Sequence, residues 1–94
     1  MRVLILGRHA GMMQSVLAEL AGAGFEVKGC LTDEEAITAI QNETFQVVAI
    51  GGGVGTVSRE LIKTECAKKS PPPEILEIYG PDSLLPRLQQ LRAN

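Results

Sequence analysis

The sequence predicts an α/β fold: a doubly wound three-layer sandwich with a four-stranded parallel sheet in the order 2-1-3-4. Aliphatic runs at Val3-Leu4-Ile5-Leu6 and Phe45 to Ile50 have the character of strands buried on both faces. A stretch with apolar residues at helical spacing follows every β-type run, and glycine or proline clusters punctuate the passages between them. Strands alternating with helices imply parallel βαβ units, whose crossovers are right-handed in ~98% of cases. Order 2-1-3-4 is then the simplest arrangement, with the first and last helices on one face and the second and third on the other.

The first strand ends at Gly7. Gly11 to Ala21 then places Met13, Val16, Leu17 and Leu20 at helical spacing, and Gly22-Ala23-Gly24 stops that helix. Phe25-Glu26-Val27-Lys28-Gly29-Cys30 alternates as an outer strand does. Thr32-Asp33-Glu34-Glu35 matches a capping box, in which the Thr32 hydroxyl accepts from the N–H of residue 35 and Glu35 reaches back. Ala36, Ile37 and Ile40 give this second helix its buried stripe. Phe45 to Ile50 is the third strand, ended by Gly51-Gly52-Gly53. A third helix from about Ser58 to Lys68 is expected to bury Leu61, Ile62 and Cys66. Pro71-Pro72-Pro73 forms a stiff linker, and Glu74 to Tyr79 the fourth strand. Asp82 is placed to cap a last helix carrying Leu84, Leu85, Leu88 and Leu91, with Pro86 in its first turn, where a missing N–H costs little.

Residues 1–94 make one domain, without repeats or low-complexity segments. Phe25, Phe45 and Tyr79 are the only aromatic residues, so the core has to be aliphatic. A net charge of −2, with no basic stripe and no stacking aromatics, argues against nucleic acid as a partner. No apolar run approaches the ~20 residues needed to span a bilayer, and the opening run is too short for a signal-peptide core. Cys30 and Cys66 are far apart and read as reduced thiols, as in a cytoplasmic protein.

In an open doubly wound sheet, ligands sit beyond the strand carboxyl ends where the strand order reverses. Here that point lies between the first and third strands, whose exits read Gly7-Arg8-His9-Ala10-Gly11 and Gly51-Gly52-Gly53-Val54-Gly55. Glycine lets backbone N–H groups approach an anion closely, and each loop leads to a helix N-terminus with positive partial charge. The expected phosphate or carboxylate site therefore comprises Gly7, Arg8, His9, Gly11, Gly51, Gly52, Gly53 and Gly55, with Arg59 as a further guanidinium. Strand-to-helix turns also use glycine where nothing binds, although three consecutive glycines lose much chain entropy on ordering.

No catalytic constellation is legible. His9 is the only histidine and reads as a solvated loop residue, with Ser58 or Asp82 as partners only if the fold supplies them. No residue spacing fits a metal site. Cys30 reads as a small apolar filler, and Asp33, near the place of a ribose-binding acid, reads as a first-turn residue facing the helix dipole. Tyr79 and Asp82 are expected to rim the crevice.

Residues 1 to about 35 resemble the opening of Rossmann-type NAD(P)-binding domains, through Val3-Leu4-Ile5-Leu6-Gly7, the helix with Leu17 and Leu20, and Gly24-Phe25-Glu26-Val27-Lys28-Gly29. Their Gly-x-Gly-x-x-Gly fingerprint is altered, because His9 and Met12 stand at its second and third positions and leave Gly7-x-x-x-Gly11. The resemblance implies NAD(P) binding or, given about half the usual length, a mononucleotide. Residues 1 to 92 also resemble response-regulator receiver domains, through Phe25-Glu26-Val27-x-Gly29…Thr32-Asp33-Glu34-Glu35-Ala36-Ile37 and Tyr79-Gly80-Pro81-Asp82…Leu84-Leu85. Gly7 and Arg8 replace that family's metal-binding acids, residues near Gly51 its phosphoacceptor, and residues near Gly80 its lysine. This second resemblance implies a pseudo-receiver that is not phosphorylated and acts by protein contact.

The favoured expectation is a small non-catalytic domain binding an anionic molecule, a phosphate or a nucleotide, at the two glycine loops. The alternative is the pseudo-receiver interaction module, and an enzyme comes third. The edge position of the fourth strand and the four leucines of the last helix lead to the expectation of a homodimer through the C-terminal region.

Overall fold

Side-chain alternation along the first strand decides which helix packs where. In the computed structural model, which describes residues 1–78 and 84–93, the elements are β1 (Arg2–Leu6), α1 (Ala10–Gly22), β2 (Glu26–Cys30), α2 (Asp33–Asn42), β3 (Val47–Ile50), α3 (Thr56–Ala67), β4 (Glu74–Glu77) and α4 (Leu84–Ala93). The four strands are parallel in the order β2-β1-β3-β4, the flavodoxin-like arrangement. Val3 pairs with Val47 and Leu4 with Val48, so alternate residues of the central strands share a face.

Val3, Ile5, Val47 and Ala49 form one core with Met13 and Leu20 of α1 and Leu84 and Leu88 of α4. Leu4, Leu6, Val48 and Ile50 form the other with Ala36, Ala39 and Ile40 of α2 and Ile62 and Cys66 of α3. The helices therefore divide as the alternation predicts. Central β1 and β3 are buried almost throughout, while β2 and β4 are the sheet's edges and partly exposed.

Several local expectations shift. The α3 helix begins at Thr56 rather than Ser58, because Gly55 already takes the extended cap conformation (φ −75°, ψ 171°). Its buried stripe runs through Arg59, Ile62 and Cys66, which turns Leu61 outward to 40% exposure. Phe45 precedes β3 and is buried under the Arg2 guanidinium, 4.8 Å from the ring centre. Arg92 covers Phe25 in the same way at 4.2 Å. Both stacks lie at the amino end of the sheet, where Arg2 also pairs with Glu43 at 2.6 Å.

At the α2 start the Thr32 hydroxyl accepts from the Glu35 N–H at 3.2 Å, as the capping box requires. Glu35 returns its carboxylate to the Leu31 N–H and the Thr32 hydroxyl rather than to the Thr32 N–H. Gly24 adopts φ +92°, the only left-handed backbone among the described residues, and ends α1. The Ser70–Pro71 peptide is cis.

In α4, Leu84 and Leu88 are buried, and Leu85 and Leu91 pack partly buried on the same core. All four leucines thus have partners within the chain, which removes one of the two grounds for a C-terminal dimer. The edge position of β4 remains. No helix among the described residues is long and apolar enough to cross a membrane.

Candidate functional site

The two glycine loops lie against each other beyond the carboxyl ends of β1 and β3. The sheet ladder continues past the strands, with the Gly7 N–H donating to Cys30 O at 3.0 Å and the Gly51 N–H to Leu6 O at 2.8 Å. A methyl group built on Gly51 would stand 3.2 Å from Leu6 O and 3.5 Å from the Gly7 Cα, and one on Gly53 would stand 3.6 Å from the Arg8 Cβ. The approach at Gly51 is closer than a side chain tolerates, whereas Gly53 has room for a methyl group. Gly7 and Gly51 hold the loops together, and their own amides are committed to the sheet.

Arg59 sets the orientation of the second loop. It is 5% exposed, so it is a buried residue rather than the free guanidinium expected from the sequence. Its Nε donates to Val54 O at 2.8 Å, and Nη2 donates to Gly51 O at 2.7 Å and Ile78 O at 3.1 Å. Nη1 pairs with Glu77 at 3.3 Å. In a trans peptide the C=O and the following N–H point in opposite directions. Drawing the Gly51 and Val54 carbonyls onto the guanidinium therefore turns the N–H groups of Gly52 and Gly55 away from it.

The first three helices, α1, α2 and α3, begin at this end of the sheet next to the two loops, and their starts differ. The α2 start is satisfied within the chain by the Thr32 cap and by Asp33, Glu34 and Glu35 in its first turn. Neither α1 nor α3 has a side-chain cap or an acidic residue in its first turn. His9 is the cap residue of α1, exposed, with a side chain that makes no capping bond. Gly11 and Gly55, in these two starts, have ordinary backbone angles, and a Cβ on either would meet nothing within 4 Å. Neither strain nor packing requires glycine at these two positions.

Arg8 spans the crevice. Its stem lies beside Gly53, its Nη1 donates to Leu31 O at 2.9 Å, and its Nη2 pairs with Asp33 Oδ1 at 2.7 Å and reaches the Ser58 Oγ at 3.2 Å. Ser58 donates to the other Asp33 oxygen at 2.7 Å. One side chain thereby ties together the exits of β1, β2 and β3. The Ser58 hydrogen bond and then the Arg8 guanidinium hold the Asp33 carboxyl below its usual range, because both favour the ionised form.

This network was not anticipated from the sequence, since its members are 25 or more residues apart and nothing local marks them as partners. The burial of Arg59 did leave a signal: it precedes Ile62 by three positions and Cys66 by seven, on the apolar stripe of α3. Ser58 donates to Asp33, and both Asp33 oxygens are engaged within the chain. Cys30 and Cys66 are buried. Among the described residues no three His, Cys, Asp or Glu side chains gather as metal ligands. Tyr79 and Asp82, expected at the rim, lie outside the described residues.

The scaffold is a doubly wound α/β domain whose two glycine loops meet at its topological switch point. No protein-family model and no curated protein matches the chain.

Proposed function

We propose that this domain binds a small anion, inorganic phosphate or the phosphate of a nucleotide, at the crevice between Gly7–Gly11 and Gly51–Gly55, without catalysing a reaction. The observation that carries this reading is the pair Gly11 and Gly55. Each stands in an uncapped, acid-free helix start, and neither backbone strain nor a neighbouring atom accounts for its missing side chain. Gly11 lies inside α1, where glycine costs ~1 kcal/mol relative to alanine, and close approach of a ligand to the backbone is a reason to keep it; Gly55 is the cap residue of α3, where glycine leaves its N–H unshielded. The outward N–H groups of Gly52 and Gly55 suit the same ligand.

The test is a titration with phosphate, ADP, ATP and NAD(P), followed by melting temperature and by amide NMR. Binding raises the melting point, by the equivalent of ~2.7 kcal/mol at a hundredfold excess over Kd. It also moves the amide resonances of Gly11, Gly52 and Gly55. No response to any of these ligands overturns the reading.

A second reading, a protein-contact module of the pseudo-receiver kind, is favoured by Val57 and Met12. They lie in the first turns of α3 and α1 and are 85% and 66% exposed. Glutamate at both positions should abolish such a contact while leaving the fold intact.

A further inference from the structure

The Arg8 stem lies beside Gly53 of the 51–55 loop, and its guanidinium is already occupied by a carboxylate of the same chain. Asp33 receives Arg8 at 2.7 Å and Ser58 at 2.7 Å, so both of its oxygens are taken within one closed triangle with the 3.2 Å Arg8–Ser58 contact. The two charged side chains keep 33% and 26% of their surface in water, so the pair is accessible to a competitor and moderate in strength. Arg8 keeps a second anchor on Leu31 O at 2.9 Å, which allows Nη2 to change partners while Nη1 holds the side chain in place.

We infer that Asp33 is a resident competitor for the anion: it occupies Arg8 in the empty domain and gives it up when phosphate enters the crevice. This inference rests on the proposed anion site and adds a mechanism to it. The ligand class it selects is a dianion such as a terminal phosphate, because a second negative charge helps displace a carboxylate from a guanidinium that both can engage in bidentate fashion. Ser58 supports the resident state, since its hydroxyl donates to Asp33 and so keeps the carboxylate charged and oriented. When Asp33 is displaced it remains in the first turn of α2, where the helix dipole stabilises its charge without Arg8.

The experiment compares inorganic phosphate binding, by calorimetry and by the Arg8 side-chain N–H resonance, in the wild-type chain, Asp33→Asn, Ser58→Ala, Arg8→Gln and the double variant Asp33→Asn/Arg8→Gln. Asp33→Asn should bind phosphate roughly threefold to fivefold more tightly, the factor a partly exposed ion pair withholds. Ser58→Ala should show a smaller gain in the same direction. The gain from Asp33→Asn should vanish when Arg8 is also replaced, a coupling that a merely structural Asp33 would not produce. Wild-type binding with no gain in Asp33→Asn, or a gain that persists without Arg8, overturns the competitor role and leaves the anion site standing. Absence of phosphate and nucleotide binding in every variant overturns both.

Discussion

Gly29 of β2 lies so close to Met13 of α1 that a methyl group on its Cα would stand 2.8 Å from the Met13 sulfur and 2.9 Å from a Leu17 methyl. This contact fixes how near the first helix approaches the sheet. Gly29→Ala should therefore destabilise the domain by about 1–3 kcal/mol, as overpacking does, in urea unfolding. Gly11→Ala, with nothing within 4 Å of its added carbon, should be neutral or slightly stabilising. Equal effects at the two positions would contradict the packing account.

Arg59 joins the loop after β3 to the end of β4 by donating to the carbonyls of Val54, Gly51 and Ile78. Arg59→Met keeps the stem and leaves these carbonyls without their guanidinium. A loss of about 2–4 kcal/mol is expected, since buried acceptors lose a charged donor. Arg59→Lys should recover only part of it, because an ammonium cannot span three carbonyls as a planar fork does. Denaturant midpoints of the two variants against the wild type provide the measurement.

Asp33 makes stability depend on acid. Its carboxyl is held lower in the folded chain than in the unfolded one by Ser58 and Arg8, so the unfolded state binds the proton more readily. The stabilisation is present above the unfolded value of ~3.9 and fades as pH falls through the lower folded value. Melting curves at successive pH values below 5 should fall less steeply for Asp33→Asn than for the wild type, and parallel curves would remove Asp33 as a contributor.

The thiols behave oppositely on the alkaline side. Burial, and then the nearby Glu65 charge, pushes the Cys66 thiol up to about 11, and burial, then Glu35, also raises Cys30. Folded values above the unfolded ones mean that this contribution is complete below ~8.5, the unfolded value, and is lost as pH rises through the folded values. Both thiols should resist a disulfide reagent at pH 8 in the native state and react together on unfolding. Rapid labelling of the native chain would show an opening that the fold does not account for.

Sheet order and the sharing of faces were legible because alternation and helical periodicity are local. Val3 to Leu6 announces a strand covered on both sides, and Thr32 to Glu35 announces a helix start. That the two glycine loops meet beyond β1 and β3 followed from the strand order alone. The partners of the charged groups were not legible. Arg8 meets Asp33 only after β1 and β2 pair in register, and Arg59 reaches its carbonyls only once β3, α3 and β4 are assembled. Leu61 was misplaced because the apolar pattern of α3 allows two stripes, and packing on the sheet takes the one through Arg59, Ile62 and Cys66. Glycines at 7, 11, 51 and 55 look alike in sequence, yet two hold the loops together and two leave open space.

The two arginine-on-ring stacks, Arg2 over Phe45 and Arg92 over Phe25, give the molecule a sealed floor. Met1 enters there, where its carbonyl accepts the Glu26 N–H at 3.1 Å, and α4 finishes there, with Arg92 donating to Ala23 O at 3.2 Å. The glycine loops lie at the opposite end of the sheet, a full strand length away from both rings.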